Sequence, residues 1–436
     1  MTTTISSQVL DLAGIGAGPF NLSVAALLQQ VPETSSCFFE SRDSVSWHPG
    51  MLLDDTHMQT TFLKDLVTPV FPQSPYSFLA YLVEKKRIYR FLTAELGCIS
   101  RTEFSDYLYW ASEKLPNIAF STCVEKIEFA DGVFHIHTDK GTTLARNLCL
   151  GTGKSPHVPE CVKPYIGEHV FHAAEIALSP RDFAGKRVAI IGGGQSGADV
   201  FINALRGTWG KPAKLDWVSR RPNYQPLDEA AFTNEYFTPD YVEAFLTLSP
   251  DVKAREVSMQ KLTSDGVTQK ALLEIYRELY QRFDVNNEEK WVRLLPHRTM
   301  TQLLSHKGGY ELFLENGLAN QLERLDADII ILATGYESRT PRCLDGLRPL
   351  INADSEGRFQ LNQYFEVDWA HSDTNRIFAV NVGMHSHGIA EPQLSLMAWR
   401  SAQIINRLCQ KPVFNTEAGP ALIEWISPTS LVEAFA

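Results

Sequence analysis

The feature that most constrains this sequence is a motif that occurs twice: an apolar run, a glycine-rich turn and a stretch of helical spacing. The first copy is VLDLAGIGAGPFNLSVAALL, with its strand over residues 9–13, and the second is KRVAIIGGGQSGADVFINAL, with its strand over residues 188–191. A strand that enters such a turn and leaves as a helix directs free backbone N–H groups at a phosphate. The duplication predicts an α/β chain with two Rossmann-like dinucleotide-binding domains.

The glycines of the two turns have distinct tasks in such a fold. The first permits the tight bend, and the second lets the backbone approach the pyrophosphate. We therefore predict two sets of binding residues, which are Gly14, Gly16 and Gly18 in the first turn and Gly192, Gly194, Gln195, Ser196 and Gly197 in the second.

The residues after the second strand of each unit distinguish the two sites. Glu40 ends the string CFFE, where a carboxylate can accept hydrogen bonds from a ribose diol, and this favours FAD. In the second unit LDWVS is followed by Arg220 and Arg221, and two guanidinium groups suit the 2′-phosphate of NADPH better than NADH. The alternative for the arginines is a solvated pair in a loop.

Two dinucleotide sites in one chain indicate electron transfer between a nicotinamide and a flavin. A disulfide reductase needs a redox-active cysteine pair, but the seven cysteines are scattered and none form C-x-x-C. The electrons are therefore expected to reach oxygen, in a monooxygenase or an oxidase. The same scattered thiols favour a reducing compartment.

Charge and hydropathy exclude some partners. The chain has 40 Lys and Arg against 51 Asp and Glu, a net charge of −11, which disfavours nucleic acid and anionic membranes. No stretch approaches the roughly 18 apolar residues of a spanning helix, and no secretory signal is visible at the N-terminus. We expect a cytoplasmic protein with no nucleic-acid or membrane partner.

The segments between and after these units suggest three domains. We predict a discontinuous FAD domain over 1–165 and 333–436, and an NADPH domain over 166–222 and 290–332. A helical insertion over 223–289 follows from the helical spacing of TPDYVEAFLTL and QKALLEIYRELYQRF. The last long helix is predicted to begin at Pro392, because proline suits a first helical turn.

Several longer strings of the chain resemble those of one family. They are GIGAGPFN, SWHPGM, MQTTFLKDLVTP, DEAAFTNEYFTPD, ATGY and HGIAEPQLSLMAWR. Together, and in this order, they resemble the flavin-dependent N-hydroxylating monooxygenases, which hydroxylate the terminal amine of lysine, ornithine or aliphatic diamines for hydroxamate siderophores. The resemblance covers residues 12 to about 408.

The resemblance implies FAD, NADPH and O2 as reactants, and a homo-oligomer, dimer or tetramer, as the assembly. It also implies further cofactor contacts. Those to FAD are Pro19, Asn21, Trp47, His48, Met58 and Gln59, and those to NADPH are Asn234, Thr334 and Gly335.

The same resemblance implies an amine pocket. Lys64 matches the lysine that pairs with a substrate carboxylate, Asn234 an asparagine that contacts both substrate and nicotinamide, and Ser395 a serine near the amine. Gln59, Asn234 and Ser395 are the candidate catalytic residues. A reacting amine must be neutral, and at a pKa of ~10.4 this costs about 4 kcal/mol near neutral pH, which a partly desolvated pocket reduces. For Lys64 a solvated surface charge is the alternative.

The exact substrate stays open among lysine, cadaverine and putrescine. Ornithine-type members carry N-Y-S-V-V where this chain has Ser264, Asp265, Gly266, Val267 and Thr268, which makes ornithine a poorer candidate. Oxygenation of sulfur or another amine, and a non-catalytic redox-sensing flavoprotein, are the remaining alternatives. We predict no metal site, because the pairs His135/His137 and His385/His387 have no third ligand nearby.

Overall fold

Strands and helices alternate along most of the chain. The computed structural model describes residues 5–419 and 421–426. In that part the strands β1 to β19 are, in chain order, Ile5–Leu10, Leu12–Ile15, Ser36–Phe39, Ile118–Ala119, Val124–Ala130, Val133–Thr138, Gly141–Ala145, Leu148–Leu150, Ser155–Pro156, Val170–His172, Arg187–Ile191, Lys214–Val218, Val292–Leu295, Arg298–His306, Gly309–Asn316, Gln321–Ala327, Ile329–Leu332, Tyr336–Glu337 and Ile377–Ala379.

The α-helices are numbered in the same way. Within the described residues, α1 to α11 are Pro19–Leu28, Phe78–Glu84, Ile88–Thr93, Arg101–Lys114, Gln195–Arg206, Pro239–Leu246, Pro250–Met259, Lys261–Asp265, Gln269–Tyr280, Met384–His387 and Met397–Cys409. None of the helices among these residues is long and apolar enough to cross a membrane.

Two five-stranded parallel sheets confirm the predicted pair of Rossmann-like folds. The first has the order β19-β8-β2-β3-β4 and the second the order β10-β17-β11-β12-β13. Strands β2 and β17 are buried along their whole length, as expected for central strands that helices cover on both faces. Each glycine turn joins a central strand, β2 or β11, to the following helix, α1 or α5.

The strand predicted over residues 9–13 is in fact two strands, so its boundaries were wrong. β1 ends at Leu10 and joins a separate four-stranded sheet of order β1-β7-β6-β5, whereas β2 begins at Leu12 in the first Rossmann sheet. Asp11 marks the change, because its carboxylate accepts hydrogen bonds from the backbone N–H and the hydroxyl of Ser35. Those bonds fix the bend between the two sheets.

The insertion is helical, as its spacing predicts, and contacts both dinucleotide folds. On one side Val242 of α6 belongs to the apolar cluster around α1 and α11, and the ring of Phe245 lies over Gly388. On the other side Ile275 of α9 joins the apolar cluster of the second fold. The insertion therefore bridges the two folds.

A loop of the first fold also reaches into the second. Met51 and Leu53 pack in the same apolar cluster as Phe171 of β10. Gly50 permits this approach, because a Cβ there would lie 1.6 Å from the carbonyl oxygen of Ala174. We call residues 50–53 the plug loop.

The last long helix begins later than predicted. Pro392 does not start it, since a short 3-10 turn, Leu394–Leu396, precedes α11, which begins at Met397. The preceding residue, Glu391, is buried and its carboxylate accepts hydrogen bonds from the backbone N–H groups of Asn381 and Gly383 while it pairs with Arg400. These bonds hold the chain around Pro392 to a neighbouring loop instead of a helical turn.

Candidate cofactor cleft and amine site

Both glycine turns open into one cavity of about 1400 Å³. Many of the predicted cofactor residues line it. From the first set these are Gly16, Gly18, Pro19, Glu40, Trp47, His48 and Gln59, and from the second Gly192, Gly194, Gln195, Ser196, Arg220, Arg221, Thr334 and Gly335. The two predicted dinucleotide sites thus open into the same cavity.

The first turn is shaped for a phosphate to approach its backbone. Gly16 has φ +88°, and a Cβ there would lie 2.6 Å from the carbonyl oxygen of Gly151. Gly18 faces open space and precedes α1 without any side chain that caps the helix, and Pro19 is the first helical residue. The N-terminal N–H groups of α1 are therefore left for a ligand.

Three residues of the predicted FAD set lie behind the cavity wall. Gly14 leaves room for the ring of Phe38, which would be 1.9 Å from a Cβ, and Met58 is buried in the apolar cluster around α1. Asn21 is buried and its Nδ2 donates to the carbonyl oxygen of Gly16 at 2.7 Å. These residues hold the turn in shape from below.

Glu40 occupies the position at the end of β3 that its sequence predicts. It is 5% exposed, its Oε2 accepts from the backbone N–H of Ala17 at 3.0 Å, and its Oε1 accepts from the backbone N–H of Arg42 at 3.0 Å. Burial alone would raise the pKa of Glu40, but the hydrogen bonds and charge of Arg42 and the Ala17 N–H lower it. A carboxylate is therefore present at the cavity wall at neutral pH.

Aromatic side chains surround His48 between the two turns. Its ring lies 4.9 Å from that of Trp47 and 5.4 Å from that of Tyr336, and its backbone is left-handed with φ 49°. Burial, with the charges of Arg101 and Arg42, lowers the pKa of His48 to about 4. The imidazole is therefore neutral at physiological pH, and this wall is apolar enough for a flavin ring.

The second turn repeats the backbone design of the first. Gly192 has φ +136°, and a Cβ there would meet the carbonyl oxygen of Ala333 at 2.0 Å. Gly194 precedes α5 without a side-chain cap. Gln195 connects the turn to the insertion, because its Oε1 accepts from the backbone N–H of Thr268 at 2.9 Å. Gly197 lies behind the wall, where a Cβ would be 2.1 Å from the oxygen of Gly192.

The two arginines after β12 differ in their surroundings. Arg220 is exposed, whereas Arg221 is half-buried and its Nη1 is shielded from solvent with no partner among the described residues. The Ser219 hydroxyl accepts from the backbone N–H of Arg221 at 3.2 Å and orients that residue. Arg221 lines the cavity, and a guanidinium group at such a wall suits a phosphate, although its Nη1 is shielded from the cavity as well as from bulk solvent. Both arginines line the cavity, so the 2′-phosphate contact and its alternative, a solvated pair, stay predictions.

The cavity also contains residues that sequence reasoning missed. Burial lowers the pKa of Lys154, which follows β8, and lowers that of His172 to about 4, and both line the cavity. The Nε2 of His172 is 3.1 Å from the oxygen of Gly335, so this histidine supports the turn after β17. Arg298, at the start of β14, lies on the wall as well. Lys154 follows a strand and a G-T-G string, a signal that could have found it.

The three predicted amine residues lie outside this cavity. Lys64 is half-buried, Asn234 is exposed in the 3-10 helix Thr233–Phe237, and Ser395 is buried in the turn Leu394–Leu396. Their sequence neighbours nevertheless belong to a shared apolar cluster, through Phe62, Phe237 and Leu394. Burial lowers the pKa of Lys64, and no carboxylate among the described residues forms an ion pair with it.

The segment that departs from the ornithine-type string lies beside the second turn. Ser264, Asp265 and Gly266 line the cavity, and the Asp265 carbonyl oxygen is 3.8 Å from a Cβ built on Gly194. The departure therefore alters the wall of the nicotinamide side of the cavity as well as any substrate contact.

Of the four paired histidines, His135 and His387 each have a buried Nε2 with no partner among the described residues, and the other two are hydrogen-bonded. On β6, His137 hydrogen-bonds Thr142 and Glu128, and His385 hydrogen-bonds the carbonyl oxygen of Phe359. His387 stacks on Phe365 with ring centroids 4.3 Å apart. Among residues 5–419 and 421–426, no group of three potential ligands is placed to hold a metal ion.

Two Rossmann-like turns, a ribose-type carboxylate at one and a buried guanidinium at the other, meet in one cavity. This arrangement defines the class: a flavoprotein that is reduced by a nicotinamide dinucleotide. The sequence model of the L-lysine 6-monooxygenase/L-ornithine 5-monooxygenase family matches residues 8–338, and the chain belongs to this family.

Individual relatives agree with this assignment. The chain is 50% identical to the L-lysine N6-monooxygenase of Escherichia coli over 422 residues, which cover 96% of this chain and 99% of that protein. It is 33% identical to the putrescine N-hydroxylase of Acinetobacter baumannii, with 98% and 95% of the two chains covered.

Solved structures give the same result. The FAD-bound cadaverine monooxygenase DfoA of Erwinia amylovora superposes with a TM-score of 0.91 at 28% identity, covering 97% of this chain and 100% of that one. The ornithine N-hydroxylase of Kutzneria sp. 744, solved with reduced FAD, NADP⁺ and L-ornithine, has a TM-score of 0.85 at 28% identity over 92% and 99% of the chains. FAD and NADPH are thus the cofactors of this chain.

Proposed function

We propose that the chain N-hydroxylates the terminal amine of L-lysine with NADPH and O2, as a step in hydroxamate siderophore biosynthesis. The observation that carries this proposal is the 50% identity to a lysine N6-monooxygenase over almost the full length of both chains. The half-buried Lys64, which lacks an ion pair within the described residues, supports it further. A free cation of this kind suits the α-carboxylate of an amino acid.

FAD, when bound, takes reducing equivalents from NADPH and activates O2 for transfer to the amine. The chain's residues are proposed to bind and orient the reactants. Gly18 and Gly194 leave helix N-terminal N–H groups for the pyrophosphates, Glu40 holds a ribose, and Arg221 binds the 2′-phosphate. Gln59 and Trp47 lie on the cavity wall beside them.

The protein must also present the amine without its proton. An ammonium has no lone pair to react, and an apolar surrounding favours the neutral form. We assign this task to the apolar cluster against which Phe62, Phe237 and Leu394, the sequence neighbours of the three amine residues, pack. We assign Ser395 and Asn234 the task of orienting the amine by hydrogen bonds, and Lys64 the task of holding the carboxylate.

The decisive test is the formation of hydroxylamine with L-lysine, L-ornithine, cadaverine and putrescine side by side. NADPH consumption alone is not sufficient, because oxidation without hydroxylation also consumes it. We expect hydroxylated lysine as the main product. Cadaverine as the main product would replace lysine with the diamine, and sulfur oxidation without any hydroxylamine would favour the sulfur alternative. If NADPH does not bleach the flavin absorbance, the protein would be a non-catalytic redox sensor.

Lys64→Ala tests the carboxylate contact. Because cadaverine has no carboxylate, we expect the apparent KM of lysine to rise at least about tenfold and that of cadaverine to change little. Steady-state hydroxylamine assays measure both values. Lys85→Ala, which removes an exposed lysine at the end of α2, is the matched control. Equal effects of Lys64→Ala on both amines would exclude the assigned role.

Two further expectations accompany this function. Small amines and O2 are the expected partners, and a homo-oligomer, dimer or tetramer, is the expected assembly, which light scattering of the purified protein measures. A cytoplasmic location also stays a prediction.

A further inference from the structure

We infer that Trp425 is a positioning residue for the amine site, because it fixes the 3-10 helix that carries Asn234. The inference rests on the proposed function, since it concerns the amine site of that reaction. Trp425 lies in what we call the C-terminal strap, residues 414–419 and 421–426. The strap runs from the last helix of the first fold to the insertion.

One end of the strap is attached close to Ser395. The indole Nε1 of Trp399, in the first turn of α11, donates to the carbonyl oxygen of Thr416 at 3.0 Å. Asn406 and Phe414 exchange two hydrogen bonds, at 2.8 and 2.9 Å, and Phe414 is buried in the apolar cluster around α1 and α11. The strap thus leaves the first fold from a rigid base that lies four residues from Ser395 in sequence.

The other end is attached to the insertion by aromatic contacts. The ring of Trp425 stacks on Tyr236, with centroids 5.3 Å apart and an angle of 29°, and meets Tyr241 edge-on at 4.7 Å. Tyr236 and Tyr241 also meet at 4.9 Å. We call these three residues the aromatic clamp. No backbone hydrogen bond joins residues 421–426 to the described remainder of the chain, so the clamp holds this end.

Tyr241 is the most firmly held residue of the aromatic clamp. It is 5% exposed, its hydroxyl accepts a hydrogen bond from Gln260 of the insertion, and its ring lies 6.0 Å from that of Phe245, which packs on Gly388. The clamp is therefore supported from the insertion and from the first fold. Trp425, from the C-terminal strap, packs against both tyrosines of the clamp.

The geometry of a 3-10 helix shows how the clamp acts on Asn234. Tyr236 follows Asn234 by two residues within Thr233–Phe237, and at three residues per turn the two side chains differ by roughly 240° around the axis. Trp425 therefore braces the helix on a face that is not the face of Asn234. The side chain of Asn234 is exposed and makes one long hydrogen bond of 3.5 Å to the oxygen of Glu229, so it is weakly held, although the backbone N–H of Asn234 donates to the oxygen of Ala230 at 3.0 Å.

Trp425 does not line the cofactor cavity, which predicts a separable effect. Asn234 does not line that cavity either, although the resemblance also implied a nicotinamide contact for it. Loss of the Trp425 ring should therefore loosen the amine site and leave NADPH and FAD binding unchanged. We expect Trp425→Ala to raise the apparent KM of lysine at least about tenfold, and to lower the hydroxylamine formed per NADPH. The rate of flavin reduction by NADPH in rapid mixing, and the KM of NADPH, should equal those of the wild type.

Trp425→Phe and Leu422→Ala are the matched variants. Phenylalanine keeps an aromatic face for Tyr236 and removes the indole Nε1, which is buried without a partner among the described residues. We expect the apparent KM of lysine in Trp425→Phe to stay close to that of the wild type. Leu422 lies in the same strap at 77% exposure and its replacement should have no effect.

Tyr236→Ala approaches the same contact from the other side. We expect it to reproduce the rise in the KM of lysine, and the double variant with Trp425→Ala to be no worse than either single variant. Additive effects, an unchanged KM in Trp425→Ala, or slower flavin reduction in parallel with the KM would each overturn the inference. If Trp425→Ala fails to fold, Tyr236→Ala and Trp425→Phe still test it.

The wild type separates this inference from the proposed function. A wild type that hydroxylates none of the four amines refutes the proposed function. A wild type that hydroxylates lysine, with variants that do not change its KM, refutes the clamp alone.

Discussion

The two glycine turns share one backbone design, but the side chains beyond the next strand differ between them. In each turn, a glycine with positive φ lies against a backbone carbonyl, at Gly16 and at Gly192, and a helix begins without a side-chain cap. After the next strand, however, the first site has Glu40, which is buried and hydrogen-bonded. The second site has Arg221, whose Nη1 is buried and has no partner among the described residues.

This difference separates two tasks. The turn binds a pyrophosphate in either site, because backbone N–H groups do not distinguish one dinucleotide from another. We propose that the choice between FAD and NADPH is made by the charge of the residue at the end of the second strand. The Glu40 carboxylate is already held by hydrogen bonds, whereas the Arg221 guanidinium forms no ion pair with a carboxylate among the described residues.

The largest effects should come from substitutions of the two turn glycines, each of which should impair binding at one dinucleotide site only. Gly16→Ala introduces a Cβ 2.6 Å from a backbone oxygen at φ +88°, and Gly192→Ala one at 2.0 Å and φ +136°. We expect Gly16→Ala to purify without FAD. We expect Gly192→Ala to keep FAD and to raise the KM of NADPH at least about tenfold. Flavin absorbance and steady-state kinetics measure the two outcomes.

Gly97→Ala is the control for both variants, because nothing lies within 4 Å of a Cβ there. Loss of FAD from Gly192→Ala would show that the two turns are not independent.

A smaller effect should separate the two arginines. Because Arg221 lines the cavity and forms no ion pair within the described chain, we expect Arg221→Ala to raise the KM of NADPH about 10- to 100-fold and to leave that of NADH unchanged. Arg220 is exposed, so Arg220→Ala should change the KM of NADPH less than about fivefold. An undiminished preference of Arg221→Ala for NADPH would contradict the role of this residue.

The smallest effect should be a dependence of FAD binding on pH, which we expect at the site of the first glycine turn only. The pKa of Glu40 lies below its ordinary value of 4.5, so its carboxylate stabilises the folded, FAD-binding state above that pH. The contribution is lost as the pH falls through the lowered pKa. We expect a few-fold rise in released flavin below about pH 4.5, and flavin fluorescence measures this release. Glu40→Gln should bind FAD more weakly than the wild type above this pH range, match it below, and lack the step. A step of unchanged size would exclude Glu40 as its cause.

The local parts of the fold were predictable from sequence. A strand, a glycine turn and a helix within some twenty residues carry their own signal, and Glu40 and Arg221 lie at fixed positions after the next strand. The boundary at Asp11 was not predictable, because it depends on Ser35 and on the pairing of β1 with β7. The start of α11 likewise depends on the distant partners of Glu391.

The same distinction applies to the candidate site. His172 and Arg298 reach the cavity wall through the order of strands in the second fold, which no local pattern reveals. The resemblance correctly indicated the family, whereas the amine roles that it implied for Lys64, Asn234 and Ser395 stay predictions, and none of the three lines the cavity. These three come from segments far apart in sequence, and only tertiary packing determines their positions.

The order of the strands has a consequence for synthesis of the chain on the ribosome. β8 is made early, but its neighbour β19 is Ile377–Ala379, near the other end of the chain, and the plug loop waits for β10 and β11. The first sheet therefore exposes an unpaired edge while the whole second fold is being translated, and such edges promote aggregation. A nascent chain of this kind should depend on chaperones, and slow synthesis of its last third should lower the yield of folded enzyme.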